Sequence, residues 1–336
     1  MRIDLGSGNI ERITCVYIGR IGDVIVATPF LRALRRRFPK ARIRLVVGAR
    51  AAQVLPLIPF VDETAVLGRP AQVGAHLRLA WTLLREPCDL LIDLNSSFSK
   101  TSTIVARAAR ARIRLAFEKE KGPKVFNRAI AAPGDREHMS ERYARLAEAL
   151  GAPYGPDLEL RVPPADDARA EALLAPLLRE DPGAFRILVH PGNLSRLPSF
   201  WPEERLTELC RSLQDDPTLR LFFLAGPGER ELVSRIAGAL PRPAAVLPEA
   251  PLSVVGAMVK RMNLLLGSLT STTHLAAALN VATFAFYEGY TQTVWRPRGA
   301  RHGGTVSADW NHVQSTTTDE ARAALKEHLA RLSPWI

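Results

Sequence analysis

The sequence predicts an α/β protein of two doubly wound parallel-sheet domains, with a cleft between the C-terminal ends of their strands. Three observations lead there. Apolar runs of strand length alternate with amphipathic runs of helix length along most of the chain, the pattern of a parallel sheet covered on both faces. At 336 residues the chain is long for one core. Between residues 151 and 165 the alternation stops at Pro153, Gly155, Pro156, Pro163 and Pro164, which marks a linker. Domains over 1–160 and 161–318, followed by a segment 319–336 that carries a helix, are therefore expected.

In the first half, residues 13–18 read as a buried strand. It runs into Gly19-Arg20-Ile21-Gly22-Asp23, a glycine-bounded turn, and Thr28-Pro29 then opens a helix with Phe30, Leu31, Leu34 and Phe38 at helical spacing. Threonine caps helices and proline suits their first turn. Residues 43–47 predict the second strand, 51–57 a short helix and 77–84 a further helix. A strand over 88–94, a helix over 99–109, a strand over 113–116 and a helix over 140–150 complete this half. In the second half, strands are expected over 187–190, 219–225, 264–266 and 281–286. Helices are expected over 202–213, 229–240, 252–260 and 272–279, with an amphipathic one over 319–332.

Composition narrows the class. Hydrophobic residues make up 47% of the chain and charged ones 24%, as in a soluble globular protein. No apolar run is long enough to span a bilayer. Residues 1–12 lack the basic-then-apolar order of a secretory signal, so a cytoplasmic location is expected. Cys15, Cys88 and Cys210 form no CxxC pair or metal-ligand spacing and read as reduced, buried thiols. The net charge of +11, mostly arginine, fits either polyanionic partners or well-solvated arginine-rich faces.

Asp23 lies just past the end of the first strand, where open parallel sheets bind ligands; it is either a functional acid or an ordinary turn residue. Gly19-x-x-Gly22 is too short for the dinucleotide fingerprint, and no acid follows the second strand, so a nicotinamide enzyme is disfavoured. There is no P-loop, HExxH or GxSxG, and no Asp-x-Asp on a loop. His190-Pro191-Gly192-Asn193 leaves a strand directly, and Asn193, Ser195 and Arg196 are placed to meet a phosphate. Trp201 reads as a packing anchor ahead of a helix with Glu203 and Glu204 in its first turn. Thr270, Ser271, Thr272, Thr273 and His274 join a buried strand to an apolar helix. Their hydroxyls either cap the free N–H groups or leave them for a phosphate. The cations Lys100, Arg107, Arg110, Arg112, Arg114, Lys119, Lys121, Lys124 and Arg128 form either a solvated face or an anion site. Sparse aromatics here (Phe117, Phe126) argue against base stacking, and no nucleic-acid recognition motif is present.

Together these stretches resemble the lipopolysaccharide heptosyltransferase family, glycosyltransferase family nine. The carriers are Gly19-Arg20-Ile21-Gly22-Asp23-Val24 with Thr28-Pro29 and Leu31-Arg32-Ala33-Leu34-Arg35, then Leu188-Val189-His190-Pro191-Gly192 and Trp201-Pro202. Leu224-Ala225-Gly226-Pro227-Gly228-Glu229 and His274-Leu275-Ala276-Ala277-Ala278-Leu279 complete the series, which covers roughly residues 12–300. The resemblance implies a GT-B architecture, two Rossmann-like domains facing an interdomain cleft, with the C-terminal helix packing back on the N-terminal domain. It implies transfer of a heptose from ADP-heptose, or of another sugar from its NDP-sugar, with inversion and without metal or cofactor. The acceptor would be the lipopolysaccharide core or a related anionic, lipid-linked glycan, met by a cytoplasmic protein peripheral to the inner membrane; no nucleic-acid partner is implied.

On the same resemblance Asp23 would be the general base, and Arg20, Gly22, Lys100 and His138 would bind the acceptor. Asn193, Ser195, Arg196, Thr270, Ser271, Thr272, Thr273 and His274 would bind the donor diphosphate. Departures fall on the donor side. Leu269 stands where the family has an acid, Ser199 where a lysine is common, Ser253 at a further nucleotide contact, and Glu288-Gly289-Tyr290-Thr291 where Gly-Pro-Thr-Asp is usual. They leave open an alternative, a catalytically degenerate member that binds glycan or nucleotide as an accessory protein.

Overall fold

The computed structural model describes residues 3–5, 9–68, 72–119, 125–179, 183–192, 200–242 and 244–332. The chain divides into two compact units, Met1–Leu158 and Glu159–Ile336. In the first, the strands are β1 (Arg12–Tyr17), β2 (Arg42–Gly48), β3 (Glu63–Leu67), β4 (Cys88–Asp93), β5 (Ala111–Phe117) and β6 (Arg128–Ile130). They form one sheet in the order β3-β2-β1-β4-β5-β6, every pair parallel. The helices are α1 (Ile21–Val26), α2 (Thr28–Arg37), α3 (Val73–Arg85), α4 (Lys100–Ala108) and α5 (Met139–Ala149), with a 3-10 segment at Ala49–Leu57. Strand order reverses between β1 and β4, where Val16 is in register with Asp93. The crevice beyond those two carboxyl ends is where a sheet of this order holds its ligand.

Two edge strands, β3 and β6, escape the sequence reading. Residues 63–67 are partly exposed along their whole length, so no continuous apolar run announces them. The expected turn at Gly19 to Asp23 is also corrected: after Arg20 the chain enters a short helix, α1, and Asp23 occupies its first turn. Thr28 does not cap α2, because Ala27 is the cap residue and the Thr28 hydroxyl donates to Ile25 O at 2.7 Å.

The second unit repeats the design. Its strands are β7 (Phe185–His190), β8 (Leu219–Phe223), β9 (Ala245–Val246), β10 (Leu264–Ser268), β11 (Ala282–Tyr287) and β12 (His302–Val306), ordered β12-β11-β10-β7-β8-β9. The helices are α6 (Pro164–Leu178), α7 (Glu203–Leu213), α8 (Arg230–Gly238), α9 (Leu252–Val259), α10 (Ser271–Ala278), α11 (Gly289–Trp295) and α12 (Thr318–Leu332). Helix α6 begins at the prolines read as linker, since proline is tolerated at the first helical position. Trp201 is a packing anchor, fully buried, stacked 4.1 Å from Phe286 and donating from Nε1 to Thr316 O at 3.0 Å.

Ala321, Leu325 and Leu332 of α12 lie in one core with Ile187, Leu264 and Phe284, so this helix completes the second unit's own core. Its apolar stripe is spaced to cover a sheet face, and the face it covers carries β12. Among the described residues no helix is long and apolar enough to cross a membrane. All three cysteines are free and buried; burial holds the Cys15 thiol far above its ordinary range and pushes Cys210 up to about 12, so neither is a nucleophile.

Candidate active site

The first constellation is built where β1 hands over to α1. The Arg20 backbone N–H donates to Asp23 Oδ2 at 2.6 Å, which places a carboxylate at the start of a helix, where its charge is favoured. Gly19 makes room for it: a Cβ there would stand 2.7 Å from Asp23 Oδ2. Asp23 is half-buried, Gly22 beside it likewise, and Arg20 is exposed. The phenols of Tyr17 and Tyr143 lie beneath. Burial raises the pKa of both, and the Asp23 charge raises it further, so they stay protonated.

A second acid, to which the sequence reading assigned no chemistry, ends the neighbouring strand. Asp93, at the end of β4, is fully buried. Its Oδ1 accepts from Asn95 N–H at 3.0 Å and Nδ2 at 2.7 Å, and its Oδ2 accepts from Ser102 Oγ at 2.8 Å. Lys119 Nζ closes the cluster at 2.5 Å from Oδ2, itself almost wholly buried. The network ties the ends of β4 and β5 to the start of α4 and so fixes the floor of the crevice. The one available signal was an aspartate directly after the apolar run Leu90-Leu91-Ile92. From α5, Arg142 reaches Ser96 Oγ at 3.0 Å and Gly134 O at 3.1 Å, which holds the loop after β4 from the other side.

Asp23 opens onto a cavity of about 900 Å³. Arg20, Gly48 and Arg50 line one end of it, and apolar side chains of α3 and α4, Leu77, Leu79, Leu83, Ile104 and Val105, line the rest. Lys100 is exposed at the start of α4. His138 is buried, and its Nδ1 caps α5 by accepting from Ser140 N–H at 3.1 Å, while its own N–H donates to Glu141 at 3.3 Å. The structure thus groups Arg20, Gly22 and Asp23 on one short segment, and gives His138 a capping task that the sequence did not foretell.

In the second unit the strand order reverses between β7 and β10. Gly267 has φ +153°, and a Cβ there would fall 1.8 Å from His190 O, so only glycine lets these strands approach so closely. His190 ends β7 with its Nε2 3.3 Å from Glu229 Oε2 and its Nδ1 3.3 Å from Thr270 Oγ1. Thr270 caps α10 by accepting from Thr272 N–H at 3.2 Å, and its own N–H donates to Thr273 Oγ1 at 3.2 Å. Two of the hydroxyls are therefore spent on the cap, while Ser271 and Thr272 stay partly exposed at the helix start. His274 is buried and faces Trp295, with ring centroids 6.4 Å apart. Leu269 packs with Ala285, Tyr287 and Trp295 in a small apolar cluster. Asn193, Ser195, Arg196 and Ser199 lie outside the described residues. Among the described residues, no three His, Cys, Asp or Glu side chains converge as a metal site would require.

The sequence model of glycosyltransferase family 9 (heptosyltransferase) matches residues 76–324. The chain belongs to this family. It is a glycosyltransferase, and its solved relatives share its fold. A family 9 glycosyl transferase from Veillonella parvula superposes with a TM-score of 0.84 at 18% identity, covering 95% of this chain and 97% of that one. Escherichia coli ADP-heptose lipopolysaccharide heptosyltransferase II gives 0.78 at 19% identity, over 96% and 99%. E. coli heptosyltransferase WaaC, solved with ADP-2-deoxy-2-fluoro heptose, gives 0.73 at 20%, over 94% and 99%. At such identities the likeness establishes the GT-B fold. No curated protein matches the sequence. In this glycosyltransferase the two strand-order reversals, one per unit, are the places where the fold offers ligand sites.

Proposed function

We propose that this glycosyltransferase moves a heptose from ADP-heptose to a hydroxyl of the lipopolysaccharide core or a related anionic, lipid-linked glycan, with inversion and without a metal. Asp23 is the general base. The observation that carries the reading is its carboxylate at the β1–β4 reversal, with Oδ2 fixed by the Arg20 N–H and the side chain facing a cavity. Geometry precedes pKa in choosing a base, and this acid is held by the Arg20 N–H and lines the cavity.

In the proposed step the acceptor hydroxyl gives its proton to Asp23 as its oxygen bonds to the anomeric carbon. The bond from that carbon to the diphosphate oxygen breaks on the opposite face, and the electron pair leaves with the ADP. The donor belongs to the second unit. Here the start of α10 at Ser271 and Thr272 would face the diphosphate, so that aligned N–H groups stabilise the charge that develops. Asn193, Ser195, Arg196 and His274 are proposed as further donor contacts, with Thr270 and Thr273 shaping the helix start. Arg20, Gly22, Lys100 and His138 are proposed on the acceptor side, Arg20 and Lys100 as cations for acidic sugars. E. coli WaaC has been solved with ADP and with ADP-2-deoxy-2-fluoro heptose, which supports an adenine nucleotide sugar as the donor class.

A panel of sugar nucleotides tests this. A ligand that binds only the folded state stabilises it by about 2.7 kcal/mol at a hundred times its Kd. ADP-heptose is expected to raise the melting temperature more than UDP- or GDP-sugars, and to support transfer to a delipidated core acceptor with inverted anomeric configuration. Protection by a UDP-sugar alone, or a product of retained configuration, would overturn the proposal.

A further inference from the structure

Helix α3 is apolar on two sides. Leu79 and Leu83 point inward and are buried. Val73, Leu77, Trp81 and Leu84, spaced by four, four and three, lie on another side and are exposed, Leu77 to 66% and Trp81 to 57%. Beside it α4 exposes Ile104 to 59%, and Phe98 is exposed in the loop that precedes α4. A stripe of this size on a soluble surface calls for a partner.

Charge says which. Arg78 and Arg85 border the stripe on α3, and the Arg85 guanidinium lies over the Trp81 ring at 4.4 Å. Lys100 and Arg107 are exposed one turn either side of Ile104. A helix face that joins tryptophan and leucine to flanking arginines is built for the boundary between acyl chains and anionic head groups. The stripe is also continuous with the catalytic cavity, because Leu77 and Ile104 belong to both.

We propose that this face of α3 and α4 docks on a bilayer surface rich in anionic lipid, and that the apolar part of a lipid-linked acceptor passes along it to Asp23. The second clause rests on the acceptor reading above; the docking is a property of the face alone.

The test is co-sedimentation of the full chain with vesicles of phosphatidylcholine containing phosphatidylglycerol, and with phosphatidylcholine alone. Binding is expected to the anionic vesicles, to weaken with added salt, and to fall at least tenfold in the double variant Trp81→Glu, Leu84→Glu. Neither side chain lines the cavity, so transfer to a delipidated acceptor should be unchanged in that variant. Quenching of wild-type fluorescence by brominated acyl chains, lost in Trp81→Phe, reads the same contact without a disruptive change. Equal vesicle binding by wild type and the double variant, or no quenching attributable to Trp81, overturns the docking. So does a stripe that proves to be covered by a second copy of the chain, seen as a dimer that the double variant dissociates. Vesicle binding without transfer to any acceptor would instead sink the transferase reading and leave the docking standing.

Discussion

Gly19→Ala is the most informative small perturbation, because it touches the proposed base, Asp23, without removing it. The added Cβ would stand 2.7 Å from Asp23 Oδ2, 3.0 Å from its Cβ and 3.2 Å from its Cγ. Comfortable contacts begin near 3.5 Å, so the carboxylate must retreat by roughly 0.5–1 Å. Gly19 is not among the glycines with positive φ, so its backbone can accept alanine. The bond from Arg20 N–H, 2.6 Å long, stretches or breaks, at a cost of about 1 kcal/mol at this half-exposed site. The lower entropy of an unfolded alanine offsets about 0.4–1 kcal/mol of that. Stability should therefore hardly move. Catalysis should, since displacement of a catalytic group by about 1 Å can cost on the order of 100-fold. The assay is the initial rate of ADP release from ADP-heptose with acceptor present, beside a thermal melt and the donor Kd. A fall of about 100-fold in kcat, with melting and donor affinity unchanged, is expected. Wild-type kcat in Gly19→Ala would refute the reasoning that Asp23 must sit where Arg20 holds it.

Two further predictions concern stability. Lys119→Met leaves Asp93 buried with no cation, and should cost about 3–5 kcal/mol in a urea melt. Adding Asp93→Asn to it should recover much of that loss; no recovery would mean that the network holds the crevice by packing rather than charge. The second turns on histidine. Burial, with Arg301 next in weight, lowers the His302 pKa from 6.5 to about 4, and His328 is shifted the same way. Above the unfolded value both states are neutral and nothing depends on pH. As pH falls through 6.5 the unfolded chain takes a proton that the folded one refuses, so stability drops until about pH 4. Between pH 7.5 and 5 the His302 share is about 2 kcal/mol, and His302→Asn should flatten the profile by that amount.

Much of this was legible in the sequence, for reasons that can be named. The buried strands β1, β2, β4, β7, β10 and β11 each carry at least three apolar residues over a strand's length, and such stretches between helices of standard length permit little but a parallel sheet. Asp23 stood out because it follows such a strand at once. Its helix did not, since Ile21 to Val26 is short, rich in β-branched residues and contains Gly22. It forms because Asp23 satisfies the Arg20 N–H and because Val24, Ile25 and Val26 are buried. The Asp93–Lys119 pair joins positions 26 residues apart, which no local pattern reveals. Helix α12 shows the limit of amphipathicity: Ala321, Leu325 and Leu332 announce a buried face but not which core it completes. Residues 77–84 likewise read as a helix without disclosing that Leu77, Trp81 and Leu84 face outward while Leu79 and Leu83 face inward.

Asp23 is the proposed base of the sugar transfer. The direct measurement is single-turnover transfer from ADP-heptose to a delipidated core acceptor by Asp23→Asn, with the donor Kd measured on the same protein. Asparagine keeps the shape and can still accept from Arg20 N–H, but it cannot take the hydroxyl proton. The prediction is a loss of 10²–10⁴-fold in the transfer rate, the range for removing a general base, with donor affinity and melting temperature unchanged. Transfer at the wild-type rate would contradict it.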